Sequence, residues 1–218
     1  MDQFTRWSCV AHSLLSKHVP QIKLGQVHQL LAACLGHQTY ASLRKADLET
    51  LNRGPSYVLF DIDAGFVRAA ALGLPLTEAH WREVKIALSR SGVTPFWLIA
   101  MASMHLAARL TFEDADDARI HAMKRAIGFP NGQLATSSRC HSPEDGVPEI
   151  LRFDVDGEVH AYDDEISVAI PVIAVVEFRK IGQRMYGKGS LVSVEQNGDP
   201  RAREDEEDIF EVFGMSED

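Results

Sequence analysis

Cysteine is scarce in this chain of 218 residues, and its three positions, Cys9, Cys34 and Cys140, are odd in number and far apart. That spacing excludes a disulfide framework and fits reduced thiols. A long apolar run is also missing. The longest stretch, PFWLIAMASMHLAARL at 95–110, carries His105 and Arg109 and falls short of the roughly 18–20 residues a membrane span needs. The opening MDQFTRWS has neither the basic n-region nor the apolar h-region of a secretory leader, so the expected location is a cytoplasm and no membrane partner is expected. Nor is there an internal repeat, a nucleophile elbow, a phosphate-cradling glycine loop or a His-Glu-x-x-His zinc motif. With those absent, no short motif announces a reaction class.

What is present is enough apolar content, 45%, for a genuine core, together with an uneven charge. The net charge is −9, and residues 203–218 alone hold one basic residue against eight acidic ones. Residues 1–53 lean the other way, with six Lys and Arg against three Asp and Glu. The acidity is therefore concentrated in a tail rather than spread over a fold.

Apolar spacing divides the chain into a helical first part and a strand-rich last part. Phe4, Trp7, Val10 and Leu14 predict one helix, and Val27, Leu30, Leu31, Cys34 and Leu35 predict a second that Gly36 ends. Tyr40 and Leu43 mark a short third, and the turn Asn52-Arg53-Gly54-Pro55 closes a module at 1–53. A second region, 54–146, is expected to be mainly helical: one buried strand at 57–62, then helices at 78–91 (N-cap Thr77), 95–110 and 115–127 (N-cap Asp114), and a long loop at 129–149. From 147 to 202 the period becomes two, with a hairpin turn expected at Asp156-Gly157, one strand or two broken at Pro171 over 166–178, and another at 190–194. Helices first and antiparallel strands later predict an α+β fold, with 203–218 as an acidic tail.

Within the first module, Leu31, Ala32, Leu35, Gly36, Thr39, Tyr40 and Leu43 follow the pattern LA-x-x-LG-x-x-[ST]-[YW]-x-x-L. The stretch 24–47 resembles a short helical module of bacterial proteins carried on plasmids and phages, some labelled glyoxalase-related. The resemblance covers about a ninth of the chain and implies no catalytic residue. The same stretch has the small-residue spacing of a helix-turn-helix, with Tyr40 and Leu43 about two positions early. On that reading nucleic acid is a second candidate partner, contacted by Gln38, Ser42, Arg44 and Lys45.

The run LFDID at 59–63 ends a predicted strand with Asp61 and Asp63. It resembles the first motif of haloacid dehalogenase-like phosphatases. That resemblance implies Asp61 as nucleophile, Asp63 as general acid and a magnesium ion offsetting phosphate charge. Lys124 and Asp163-Asp164 are the residues available for the family's later motifs, while Ala64-Gly65 stands where the family has Gly-Thr. The alternative reading makes the two aspartates caps of a helix starting near Ala64. Asp163 or Asp164 with Glu177-Phe178-Arg179 resembles the Asp…Glu-x-Lys metal site of restriction-type nucleases, with arginine in place of lysine.

Two Cys-x-x-His pairs, Cys9 with His12 and Cys34 with His37, supply donors suited to zinc if the first two helices lie side by side. The structural alternative is a buried free thiol in an apolar stripe. Cys140-His141 is expected as an exposed loop pair.

In the tail, the acids Glu204 to Asp208 lead into Ile209, Phe210, Val212 and Phe213. Glu206, Glu207, Ile209, Phe210 and Phe213 are accordingly the candidate partner-binding residues, suited to an apolar groove with a basic rim. The expected function is non-catalytic binding of another protein, of inhibitor, immunity or regulatory type. No cofactor is expected on that reading; magnesium or zinc belongs to the alternatives.

Overall fold

In the computed structural model, residues 2–90, 97–99, 104–128, 134–141, 147–162 and 167–202 are described. Helix α1, Gln3–His18, starts where the Asp2 side chain accepts from the Thr5 N–H at 2.9 Å, and it buries Phe4, Trp7, Ala11 and Leu15 along one face. Helix α2, Leu24–Cys34, buries Val27, Leu30 and Leu31 and gives way at Gly36, whose φ of 84° suits a residue without Cβ. Thr39 caps the seven-residue α3, Tyr40–Ala46, and α4, Leu48–Arg53, ends at Gly54 with φ 83°. The pattern around Gly36 is thus a packing motif. Leu31, Leu35 and Leu43 are buried, and the Tyr40 ring stacks on Phe4 at 5.1 Å and leans on His28 at 4.6 Å.

The chain continues as β1 (Tyr57–Leu59), α5 (Ile62–Ala71), α6 (Glu78–Arg90), β2 (Trp97–Ile99), α7 (Met104–Glu113) and α8 (Ala118–Ala126). The strands β3 (Leu134–His141), β4 (Ile150–Tyr162), β5 (Ser167–Gly182), β6 (Met185–Tyr186), β7 (Ser190–Gln196) and β8 (Arg201–Ala202) complete it. The fold is α+β, with helices mostly N-terminal and central and strands mostly C-terminal. Among the described residues no helix is long and apolar enough to cross a membrane.

Two units divide the chain, and α7, β4 and β5 contribute residues to both. The first takes Met1–Ala108, Ser142–Phe153 and Glu177–Ser190, so the expected 1–53 module lies wholly inside it. Its core joins Trp7, Leu30, Leu31, Leu43, Val58, Phe60, Trp81 and Met185. Strand β1 pairs in parallel with β2 and antiparallel with β6, which in turn pairs with the end of β5 through Lys180–Tyr186 and Gly182–Met185. The Tyr186 hydroxyl donates to the Pro148 carbonyl at 2.6 Å, and burial pushes its pKa up to about 12.

The second unit holds Arg109–His141, Asp154–Val176 and Leu191–Asp218. Alternation on β4 and β5 buries Val155, Val159, Ala161, Ile170, Val172, Ala174 and Val176. Asp117 caps α8 and also holds Arg119, whose Nη1 donates to the Val192 carbonyl at 2.6 Å and ties the helix to β7. Those hydrogen bonds hold the Asp117 carboxyl down at about 2.

Five sequence expectations are corrected here. The helix expected at 95–110 is a strand, β2, followed by α7 from Met104, because β1 offers Trp97–Ile99 a parallel partner. The loop expected at 129–149 contains β3, which pairs with β4 across a register shift between Thr136 and Cys140; Cys140 and His141 are strand residues by backbone. Asp156-Gly157 is not a turn. Strand β4 runs straight through it, with buried Gly157 opposite Thr136, so a partner strand overrides the local turn signal. Strand β5 likewise passes through Pro171 unbroken. The cap of α8 is Asp117 rather than Asp114.

Candidate functional site

Helix α5 carries the most chemistry in the first unit. Asp61 lies just past β1 and accepts the Ala64 N–H on Oδ1 at 2.9 Å, capping the helix. Its Oδ2 accepts from Arg184 Nη2 at 2.6 Å, with both side chains 24% exposed, and its own N–H donates to the Cys34 carbonyl at 3.0 Å. Asp63 sits exposed in the first turn, where a negative charge favours the positive end of the helix dipole. Behind them Gly65 is wedged against the core, since a Cβ there would stand 2.5 Å from Cys34 Sγ and 3.0 Å from the Trp81 ring. Burial, with the Asp61 charge adding to it, pushes the Cys34 thiol well above its ordinary range. The indole N–H of Trp81 is fully buried and has no hydrogen-bond partner among the described residues.

Two clefts flank α5, and both reach Arg184. One, of about 380 Å³, opens beside the helix N-terminus and is lined by Leu59, Phe60, Asp61, Ile62, Asp63, Glu78, Lys85 and Arg184. The other, of about 540 Å³, runs between the end of α2 and the outer face of α5. Its apolar and small residues are Ala33, Gly36, Ala64, Val67 and Ala71, and its polar ones are His37, Gln38, Arg68 and Arg184. Arg68 Nη2 donates to the Gln38 carbonyl across it.

The β5–β6 turn holds both clefts in place. Asp47 is buried and accepts from the Gln183 N–H at 2.6 Å, and it pairs with His37 Nε2 at 2.9 Å with side chains only 6% and 9% exposed. A Cβ on Gly36 would come within 2.9 Å of Gln183 Cγ, so the missing side chain lets the turn approach. Asp47 thus fixes the turn from one side and Asp61 fixes Arg184 from the other.

The structure brings Asp61 and Asp63 together beside a cleft and makes Asp61 a helix cap, the two readings its sequence left open. It gives β1 one parallel and one antiparallel neighbour, where the phosphatase-like fold sets parallel strands around its nucleophile. Lys124 lies on α8 in the second unit, buried, with its ammonium pKa lowered by desolvation. Asp163 and Asp164 fall outside the described residues; Glu177 faces Arg152 at 3.9 Å and Arg179 is exposed.

The zinc set is not assembled. Cys9 is exposed, His12 Nε2 engages the Ile22 carbonyl, Cys34 is buried as a neutral thiol, and His37 is held by Asp47. Among the described residues no cluster of three or more His, Cys, Asp or Glu is arranged to hold a metal ion.

In the helix-turn-helix stretch, α3 has only seven residues. Ser42 closes the cap with Thr39, Arg44 lies over the Tyr40 ring at 6.0 Å, and Arg44 and Lys45 occupy the last turn, where cations suit the dipole. Gln38 instead lines the larger groove. Glu206, Glu207, Ile209, Phe210 and Phe213 lie outside the described residues.

Sequence reasoning missed Arg68, Arg184, Lys85, Val67 and Asp47. Arg184 sits in a tight turn more than a hundred residues from its partner, |i−j| being 123, and nothing in its neighbours marks it. No protein-family model, curated protein or solved structure matches the chain.

Proposed function

We propose that the chain is a cytoplasmic, non-catalytic protein-binding molecule of inhibitor, immunity or regulatory type. The groove along α5 is its docking surface. The observation that carries this reading is the groove's lining: an apolar floor with two guanidiniums and no carboxylate. Beside it Phe66 and Val67 stand 46% and 69% exposed on the same helix. Apolar side chains displayed next to arginines are the composition of an interface centre, where lysine and carboxylates are depleted. The test compares the native protein with Val67→Asp and Arg68→Glu in affinity capture from the host, followed by a direct titration of the captured partner. The expected result is a partner retained by the native chain and weakened at least tenfold by either substitution; a partner indifferent to both overturns the reading.

A second reading is supported by the smaller cleft, in which Asp61 and Asp63 face Lys85 and Arg184 at the C-terminal end of β1. A metal-dependent phosphohydrolase needs such a place. Against it, both oxygens of Asp61 are already engaged, by the Ala64 amide and by Arg184. Magnesium-dependent hydrolysis of p-nitrophenyl phosphate that disappears in Asp61→Asn would establish this reading, and no turnover above buffer would remove it.

A further inference from the structure

We infer that the occupant of the α5 groove is an acidic–apolar segment, and that a second copy of this chain supplies one in its residues 204–213. This rests on the groove being a protein-docking surface and adds what docks there. Arg68 spends one donor on the Gln38 carbonyl and Arg184 spends one on Asp61, and a guanidinium has five. Both therefore keep donors for further carboxylates. Between them the floor is apolar and its side chains are short, with Ala33, Ala64 and Ala71, which admits bulky side chains from outside.

A ligand matching this surface offers several carboxylates followed by large apolar groups. The chain's longest run of that order is EDEEDIFEVF at 204–213, where five acids precede Ile209, Phe210, Val212 and Phe213. The smaller cleft cannot take the same ligand, because Asp61, Asp63 and Glu78 line it and like charges would meet. Since every copy carries one groove and one such segment, pairing between copies is heterologous, each chain being receptor to one neighbour and ligand to another. A segment of ten residues over one groove makes a contact below the standard interface size, the class of weak and transient encounters, and its charge pairs make the association fall with salt.

Full-length chains test this by sedimentation equilibrium at low and high ionic strength. Native protein is expected to self-associate reversibly at low salt. The groove variant Arg68→Glu and the segment variant Glu206→Arg with Glu207→Arg are each expected to weaken association at least tenfold. The two variants mixed in equal amounts are expected to recover it, because the native segment of the groove variant meets the native groove of the segment variant. Thermal melts that match the native chain confirm that both variants are folded. A native chain that stays monomeric at several hundred micromolar and low salt overturns the inference, as does association insensitive to both variants or a mixture that fails to recover. Val67→Asp separates the two levels of the argument. If the native chain is monomeric yet an outside partner is lost on Val67→Asp, only the self-recognition fails; if neither binding event responds, the docking surface fails with it.

Discussion

The two clefts share a wall, helix α5, and a residue, Arg184, yet they carry opposite chemistry. The one at the helix N-terminus gathers Asp61, Asp63 and Glu78 with Lys85 and Arg184, and Asp61 is paired with Arg184 at 2.6 Å. The one along the helix side has Arg68 and Arg184, and no carboxylate among its lining residues. A helix end attracts carboxylates for its own stability, so acids there say little about a ligand. The two arginines have internal partners as well, Arg68 at the Gln38 carbonyl and Arg184 at Asp61, but each of those contacts uses one of a guanidinium's five donors. The conspicuous motif and the proposed docking surface therefore lie on different faces of one helix.

The most disruptive way to break this comparison is to remove the anchor that both clefts share. Asp47→Ala strands the buried His37 ring and the Gln183 N–H, and the expected loss is roughly 2–4 kcal/mol by urea unfolding. The turn bearing Arg184 should loosen with it, so both clefts should show faster amide exchange.

Gly65→Ala comes next. It pushes a methyl into Cys34 Sγ and Trp81, with an expected cost of about 1–3 kcal/mol. Adding Cys34→Ala should make the Gly65→Ala penalty smaller, a coupling that a double-mutant cycle reads directly. Purely additive losses would show that α5 is not pinned from that side.

Smaller still is the effect of Asp61. Asp61→Ala removes cap and ion pair together and should cost about 1–2 kcal/mol, whereas Asp61→Asn keeps an amide oxygen as cap and should cost less than about 1. Equal losses for the two would mean that the pair with Arg184, rather than the cap, is what Asp61 contributes. The smallest change is Asp63→Asn, expected to cost about 0.3–1 kcal/mol through the helix dipole alone. A protection of the native chain by magnesium that vanishes in this variant would move the smaller cleft from structure to chemistry.

Much of the helical first part was legible because its signals are local. The first helix with Phe4 and Trp7 on its buried face, the stop at Gly36, the short helix of Tyr40 and Leu43 and the turn at Gly54 all sit where spacing and turn chemistry put them, while the stripe continues inward through Ala11 and Leu15 rather than Val10 and Leu14. The strands were harder, because a strand is decided by a partner that lies elsewhere in the chain. Asp156-Gly157 has the composition of a hairpin turn and is strand because β3 lies opposite. Trp97–Ile99 reads as part of an apolar helix and is strand because β1 is beside it.

The site followed the same rule. Asp61 was found from its neighbours, while Arg184, which turns it into an ion pair, was not. Val67 and Arg68 look like ordinary residues of a solvated helix, and only the position of α2 next to α5 makes them the edge of a groove.

The turn between β5 and β6 sets an order on the chain's own synthesis. Gln183 meets Asp47 across 136 residues and Arg184 meets Asp61 across 123. At roughly 5–20 residues per second, about 7–27 s separate the emergence of Asp47 from that of its partner. By the end of that interval the helices α1 to α6 have long left the ribosome, while the carboxylate of Asp47 still lacks the Gln183 N–H. The first unit therefore begins folding at its helices and is locked only when one of its last segments arrives.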